Sequence, residues 1–118
     1  MNWRDFPRAP APGTALCPRA AVKGTLTLDL NGFPVLIVES PAGLRAYVNA
    51  CPHQFLPLDH RAPGVLSADG ARLICSSHQA VFDAATGAVL GGPAPDCLDA
   101  IPISLRDGVL YIAPEEGA

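Results

Sequence analysis

Residues 25–53 read TLTLDLNGFPVLIVESPAGLRAYVNACPH and divide into three extended segments joined by two turns. Polar and apolar residues alternate over residues 25–30, which is typical of a half-buried strand. The Asn-Gly pair that follows is a strong hairpin signal, so residues 34–39 are expected to return antiparallel to the first strand. A second turn precedes a third strand over residues 44–49. The stretch therefore predicts a three-strand meander that ends directly before a Cys-Pro-His motif.

The C-terminal part of the chain repeats this pattern, whereas the segment between is irregular. Residues 98–105 and 109–112 are predicted strands on either side of an Asp-Gly hairpin turn. The segment between is rich in Pro, His, Gly and Asp, and no part of the chain shows sustained helical periodicity. Its short extended stretches are expected at 71–74, 80–82 and 88–90. The sequence therefore predicts an all-β fold with an insert at about residues 51–97.

The composition excludes several classes of protein. Thirteen Pro and eleven Gly among 118 residues interrupt the chain too often for a helical bundle. Apolar residues make up 49% and charged residues 16%, which is unlike a disordered chain. With a net charge of −3 there is no basic surface for nucleic acid or anionic lipid. No apolar run approaches the length that a membrane span requires.

Residues 1–19 are rich in Pro and Ala and are expected to form an arm on a single domain of residues 20–118. Trp3 and Phe6 are its predicted anchors. Asp5 and several prolines interrupt any apolar stretch that could serve as the core of a signal peptide. We therefore expect a cytoplasmic protein with reduced thiols, in which four Cys indicate metal binding or burial rather than disulfides.

Two short Cys/His pairs lie in the insert. One residue separates Cys51 from His53, and two residues separate Cys75 from His78. Together the pairs supply two thiolates and two imidazoles, a set that suits one tetrahedral zinc ion or a [2Fe–2S] cluster with both Cys on one iron. Zinc-finger ligands usually come as like pairs, whereas each loop here offers one Cys and one His. The spacing therefore favours the cluster.

The two pairs resemble the C-x-H and C-x-x-H motifs of Rieske-type [2Fe–2S] proteins. Residues 75–87, CSSHQAVFDAATG, are similar to the second Rieske ligand loop with its F-D-x-x-T-G tail. Residues 92–98, GPAPDCL, resemble the third loop, which covers the cluster. The resemblance covers about residues 24–112. It implies a Rieske-like antiparallel β-sandwich or barrel base with an inserted, loop-rich cluster-binding subdomain.

The resemblance also implies a cofactor and its ligands, namely one Rieske-type [2Fe–2S] cluster per chain. The implied metal and cofactor ligands are Cys51, His53, Cys75 and His78. Such a protein transfers one electron at a time and needs no catalytic residue. The two ligand His would form the exit for the electron and link the potential to pH. Residues 56–58 and 91–93 are expected to form an apolar rim around them, suited to transient docking.

Two features depart from the common family pattern. Gln54 and Gln79 stand where many members carry a glycine after each ligand His, so the backbone has to turn there without glycine. The spacer between the pairs is also longer than in common members. We expect the extra length at residues 61–70, in an exposed loop.

Residue identities near the ligands imply a low redox potential. Phe55 and Ser77 occupy the positions of the disulfide found in high-potential Rieske proteins. Ala80 and Phe82 stand where those proteins place a Ser and a Tyr hydroxyl against the cluster. Without these donors the more negative reduced cluster is less stabilised. The chain therefore resembles the small low-potential Rieske ferredoxins of oxygenase systems.

The resulting hypothesis is an electron carrier that passes electrons from a reductase to an oxygenase-type terminal enzyme. It is expected to be an oxidoreductase component rather than an enzyme on its own, because 118 residues leave no room for the mononuclear iron domain of an oxygenase. Its expected partners are proteins, not nucleic acid or membranes. Two alternatives stay open. One is a cluster-bearing, non-catalytic small subunit or regulatory domain of a larger redox enzyme, and the other is a structural Cys₂His₂ zinc module.

Other conspicuous residues are predicted to have no role in electron transfer. His60 is expected to be a solvated loop residue, Cys97 a buried small side chain and Cys17 a free thiol. Phe33 is predicted to be a core residue, like the aromatic residues of the arm. Asp83 is expected to orient a backbone amide of its loop.

Overall fold

The computed structural model describes residues 3–6, 8–50, 58, 65–75, 80–91 and 97–113. Ten strands lie in this part of the chain: β1 (Ala15–Pro18), β2 (Thr25–Leu30), β3 (Phe33–Ser40), β4 (Gly43–Val48), β5 (Arg72–Ile74), β6 (Val81–Asp83), β7 (Val89–Gly91), β8 (Ala100–Ile101), β9 (Ile103–Arg106) and β10 (Val109–Ile112). Two 3₁₀ turns of three residues each are the helical elements of these ranges. Within the same ranges, no helix has the length and hydrophobicity needed to cross a membrane.

The strands form three antiparallel sheets. A central sheet has the order β2-β3-β4-β8, a second has the order β1-β10-β9, and a small third has the order β5-β6-β7. β4 pairs with β8 through Ala46 and Ile101, and the amide of Val48 donates to the carbonyl of Asp99 at 2.9 Å. The insert therefore leaves the base at the end of β4 and returns beside the same strand. The base is the part of the chain formed by β1–β4 and β8–β10.

β3 shows why the central sheet carries a core on each face. Phe33, Val35 and Ile37 pack into the first core, against the sheet β1-β10-β9. Leu36 and Val38 point to the opposite face and belong to a second core, shared with the insert. Successive side chains of a strand alternate between faces, so a strand buried on both sides has to be apolar throughout. The apolar run in β3 is therefore the mark of a middle layer.

The arm is anchored as its aromatic residues predict. Trp3 is buried in the first core, with its ring 6.4 Å from that of Phe33 in an edge-to-face arrangement, and Phe6 packs against the same core. Strand structure begins earlier than the sequence pattern indicates, because β1 lies within the arm and pairs Cys17 with Leu110 of β10. Only one side chain of β1 is buried, so its sequence shows no alternation. The division into an arm of residues 1–19 and a domain of residues 20–118 stays a prediction.

Both predicted hairpin turns are confirmed. Asn31 and Gly32 have φ values of 54° and 96°, and Asp107 and Gly108 have 51° and 77°. Two successive positive φ values are what the tight two-residue hairpin turn requires. The carboxylate of Asp29 accepts the amide of Gly32 at 2.7 Å and supports the first turn. The predicted all-β class is also confirmed: the described residues form antiparallel sheets and no α-helix.

Candidate metal centre

Cys75 is the one predicted ligand that lies among the described residues. It follows β5 directly, is 1% exposed and is a free cysteine. The other three predicted ligands, Cys51, His53 and His78, lie outside the described residues. The same holds for Gln54, Phe55, Ser77 and Gln79, for His60, and for the rim residues Leu56, Pro57, Gly92 and Pro93.

Backbone hydrogen bonds fix the position of Cys75. Its amide donates to the carbonyl of Ala80 at 2.8 Å, one rung beyond the pairing of Ile74 with Val81 in the β5–β6 hairpin. Both ends of the segment 76–79, which contains the predicted ligand His78, are thereby attached to the same hairpin. Pairing within the hairpin sets the separation of Cys75 and Ala80.

The second edge of β5 is covered by residues that we expected in an exposed loop. The amide of Ile74 donates to the carbonyl of Val65 at 2.7 Å, and the amide of Ser67 donates to the carbonyl of Arg72 at 2.8 Å. Val65 is buried in the second core, and Leu66 packs against that core. The prediction of an exposed loop is therefore wrong for residues 65 and 66. Their apolar side chains gain more by covering the edge of a short strand than by facing water.

Apolar side chains surround Cys75. Leu58, Leu73, Ala80 and Phe82 belong with it to the second core, and all four are fully buried. Leu58 was predicted to be part of an exposed rim, and this is wrong because its side chain lies inside the core. Neither Ala80 nor Phe82 carries a hydroxyl that could donate a hydrogen bond. A buried thiol in dry surroundings at the end of a strand fits a soft ligand to iron.

β4 donates two polar bonds to the turn that follows β6. Arg45 Nε donates to the carbonyl of Ala85 at 3.0 Å, and the Tyr47 hydroxyl donates to the carbonyl of Ala84 at 2.8 Å. Burial raises the pKa of Tyr47 to about 12, so the hydroxyl keeps its proton at neutral pH. Neither residue was singled out from the sequence. A signal was present in the alternation of side chains along β4, the strand directly before the first ligand pair. It places Arg45 and Tyr47 on one face and Ala46 on the opposite face.

The turn that receives these bonds is built by Asp83 and Gly87. The Asp83 carboxylate accepts the amide of Ala85 at 2.8 Å and that of Thr86 at 3.1 Å, so its predicted role in orienting a loop amide is confirmed. Gly87 has a φ of 78°, and a Cβ at this position would lie 2.8 Å from Cε1 of Tyr47. The T-G end of the sequence motif thus requires glycine both for its backbone angle and for the close approach of Tyr47.

Asn49 continues the same face one residue beyond β4. It is 5% exposed, and its Oδ1 accepts the amide of Leu58 at 2.8 Å. Its own amide donates to the carbonyl of Pro34 at 3.1 Å and so extends the pairing with β3. Asn49 was also missed from the sequence, where it reads as the last residue of a predicted strand.

The two remaining cysteines differ in burial. Cys17 is a free thiol in the first core, and burial raises its pKa. Cys97 is exposed, so the prediction that it is buried is wrong. The next residue, Leu98, takes the buried place instead, and its amide donates to the carbonyl of Gly87 at 2.9 Å. Side chains of neighbouring residues point to opposite sides of an extended chain, so burying one exposes the other.

Three large apolar side chains are exposed in the described ranges. The side chains of Ile74 and Leu90 are 37% and 54% exposed. Both residues lie in the small sheet, whose strand β5 ends directly before Cys75. Leu105, at 53%, lies in β9 of the base. Leu90 stands at a bulge beside Gly91, which pairs with Val81 next to Ile74. Exposed apolar side chains therefore adjoin the strand end that carries the candidate ligand.

Comparison with known proteins agrees with this geometry. The Rieske [2Fe–2S] domain family matches residues 14–102, which include both Cys/His pairs. The ferredoxin of carbazole 1,9a-dioxygenase from Nocardioides aromaticivorans IC177 is 24% identical, with a TM-score of 0.70, over 86% of this chain and 99% of that one. A ferredoxin from Sphingomonas yanoikuyae B1 is 23% identical, with a TM-score of 0.72, over 87% of this chain and 99% of that one.

A third solved structure is a complex of reduced oxygenase and oxidized ferredoxin in carbazole 1,9a-dioxygenase. The matching chain is 20% identical, with a TM-score of 0.69, over 88% of this chain and 94% of that one. At these identities the structural likeness shows a shared fold. No curated protein matches the sequence significantly. The family match spans most of the chain, and it answers the choice between zinc and iron in favour of iron. The chain belongs to the Rieske [2Fe–2S] domain family and, as a member, is an electron-transfer protein with one Rieske-type [2Fe–2S] cluster per chain.

Proposed function

We propose that Cys51, His53, Cys75 and His78 hold the cluster and that the protein is a ferredoxin component. In this role it accepts electrons from a reductase and passes them to an oxygenase-type terminal enzyme. The observation that carries the proposal is the family match over residues 14–102, which spans both ligand motifs. The burial of Cys75 at the end of β5 supports it. The cytoplasmic location expected from the sequence is part of the same proposal.

The cluster, when bound, supplies a reversible one-electron couple. The chain supplies the setting. Cys75 would hold iron through its sulfur, and Leu58, Leu73 and Phe82 of the same buried core would help to keep water from it. Ala80 and Phe82 have no hydroxyl, so neither side chain would donate a hydrogen bond that stabilises the extra negative charge of a reduced cluster. A potential toward the low end of the Rieske range follows from this setting.

The proposed partners are redox proteins that dock beside the cluster. Ile74 and Leu90 offer exposed apolar area next to the strand end that carries Cys75. The solved complex between an oxygenase and a ferredoxin that shares this fold supports docking of this kind. Transient electron-transfer interfaces are small, so a few exposed apolar side chains make up a large part of such a contact.

The proposal is tested on holoprotein purified from iron-replete cells. The wild-type chain is expected to be red-brown, with two irons per chain and a Rieske-type EPR spectrum. Cys75→Ala should lose the cluster, and His78→Cys should keep a cluster with a spectrum shifted toward an all-cysteine type. Cys97→Ala is the matched control, because it removes an exposed thiol that is not a proposed ligand, and it should leave iron content and spectrum unchanged.

Some results would refute the ligand assignment, and another would refute only the ferredoxin role. A colourless protein with one zinc per chain, or a normal cluster in Cys75→Ala, would refute the ligand assignment. A normal cluster that neither accepts electrons from a flavin reductase nor supports turnover of an oxygenase would refute the ferredoxin role alone. Stable co-purification with one large redox enzyme would then favour the subunit alternative.

A further inference from the structure

The polar side chain of Asn49 is buried at the point where the base meets the insert. Asn49 is 5% exposed and is the buried polar residue of the described ranges. Its backbone is held by the bond to the carbonyl of Pro34, so its side chain starts from a fixed position on the central sheet. Burying an amide side chain is costly unless its polar atoms are paired, and Oδ1 is paired with the amide of Leu58 at 2.8 Å.

Leu58, which donates this bond, is equally well fixed. Its side chain is fully buried in the second core, in the same cluster of residues as Leu73 and Cys75. Asn49 is thus connected through Leu58 to the core that surrounds the one described ligand. A displacement of Leu58 would disturb that core, because close-packed interiors transmit small shifts.

The chain between Asn49 and Leu58 contains the first ligand pair. Cys51 and His53 lie in the segment 50–57, and the bond from the amide of Leu58 to Oδ1 of Asn49 joins the two ends of that segment. Closing a segment at its ends removes conformations in which its residues stand elsewhere. A metal site needs its ligands held in a narrow range of positions before the metal binds.

We propose that Asn49 is a positioning residue for the cluster: by closing the first ligand segment on Leu58, it sets Cys51 and His53 relative to Cys75. This inference rests on the ligand assignment proposed above. It assigns to Asn49 a role that the other polar side chains of the same face do not share. Arg45 and Tyr47 bind the turn after β6, whereas Asn49 binds the far end of the segment with the first ligand pair.

The test compares Asn49→Leu with Tyr47→Phe in cluster-loaded protein. Leucine has a similar size but accepts no hydrogen bond, so the bond from the buried amide of Leu58 to residue 49 is lost. We expect altered g values in the EPR spectrum of the reduced cluster and a release of iron to a chelator about tenfold faster than in the wild type. Tyr47→Phe also removes one polar bond between β4 and the insert. It should lower the unfolding midpoint while leaving the g values at those of the wild type.

A second variant separates positioning from general stability. Asn49→Asp keeps an oxygen acceptor for the amide of Leu58 in either protonation state. It should keep the g values of the wild type, which depend on ligand geometry, even where the added carboxyl shifts the potential. The proposal is overturned if Asn49→Leu keeps wild-type g values and a wild-type rate of iron release. It is also overturned if Asn49→Asp changes the g values as much as Asn49→Leu, or if it holds no cluster.

Failure of the ligand assignment gives a different result. Wild-type protein and Cys51→Ala are measured first, by iron content and EPR. A Rieske spectrum that persists in Cys51→Ala would refute the proposed ligands whatever the Asn49 variants show. Loss of the spectrum in Cys51→Ala, together with unchanged g values in Asn49→Leu, would refute the role of Asn49 alone.

Discussion

The base and the insert of this molecule are held together in different ways. The base has strands of up to eight residues, joined by tight hairpins, and a core of its own between two sheets. The insert has strands of three residues, and its apolar side chains share the second core with the base. A three-stranded sheet this short is marginal alone. We therefore expect the insert to depend on the bonds from β4 and on the proposed cluster ligands more than the base does.

The largest effect that tests this comparison is removal of the cluster. In apoprotein, the amides of Ile74 and Cys75 in the insert should lose protection from hydrogen exchange by roughly 100-fold or more. The amides of Glu39 and Val48 in the base are also hydrogen-bonded and should keep most of their protection. The reason is that a metal site links the segments that supply its ligands. Equal loss in both regions would show that base and insert form one cooperative unit.

Alanine variants of two glycines with nearly equal φ values compare how tightly the chain is packed at a turn of the insert and at a turn of the base. Gly87 and Gly108 have φ values of 78° and 77°, but a Cβ at Gly87 would meet Tyr47 while one at Gly108 would meet nothing within 4 Å. Gly108→Ala should cost about 1 kcal/mol of unfolding free energy for its angle alone. Gly87→Ala should cost about 3 kcal/mol, because overpacking adds to the angle. Chemical denaturation of both variants measures the difference, and equal values would contradict a rigid contact between Tyr47 and the turn.

Variants of two equally exposed leucines, one in each region, test which region docks the redox partner. Leu90 lies in the small sheet whose strand β5 ends directly before the candidate ligand Cys75, and Leu105 lies in the base. Leu90→Ser should slow electron transfer to the partner about tenfold at low concentrations of both proteins, because it removes apolar contact at a small interface. Leu105→Ser should leave the rate unchanged. Stopped-flow reoxidation of the reduced protein by its proposed partner measures both rates, and a reversed order would place the docking surface on the base.

A hydroxyl added to a buried phenylalanine ring should change the redox potential in the insert but not in the base. Phe82→Tyr adds a hydroxyl in the second core, at the position where high-potential family members carry Tyr. One new hydrogen bond to the reduced state should stabilise it by about 1 kcal/mol. The potential of Phe82→Tyr should therefore rise by roughly 40 mV for a one-electron couple. Phe33→Tyr adds the same group in the first core and should leave the potential unchanged. Redox titration measures both, and a fall in potential for Phe82→Tyr would contradict the assigned position.

The smallest expected effect is a pH dependence that arises in the base. The amide of Gly24, followed by the guanidinium of Arg19 at 2.9 Å, lowers the pKa of the Glu39 carboxyl. A lowered folded pKa adds stability above the ordinary carboxyl pKa of about 4.3, and this stability is lost as pH falls through the folded value. Glu39→Gln should therefore destabilise the protein near neutral pH and lessen the loss of stability on acidification. Thermal melts across pH 3 to 7 compare the stability of the wild type with that of Glu39→Gln. Parallel curves of melting temperature against pH would show that Glu39 does not contribute to the pH dependence.

Much of the base could be predicted from local patterns. β2 and β10 have the predicted bounds, and both Asn-Gly and Asp-Gly turns lie where expected, because hairpins depend on residues adjacent in sequence. The ligand motifs could be identified for a similar reason, since coordination chemistry requires Cys and His at short spacing. β1 escaped prediction because its pairing with β10 joins the two ends of the chain. A partner about ninety residues away leaves no local pattern.

The sequence by itself determined the strand periodicity and the turns, and it indicated the proposed ligand set, since each depends on a few neighbouring residues. Only the tertiary structure decided which side chains join the base to the insert. Leu58 and Val65 look like loop residues in sequence but are buried, and Cys97 looks like a core residue but is exposed. The proposed role of Asn49 depends on its bond with the amide of Leu58, which is a tertiary contact. Burial and buried hydrogen bonds depend on residues brought together from distant parts of the chain, and no local pattern records them.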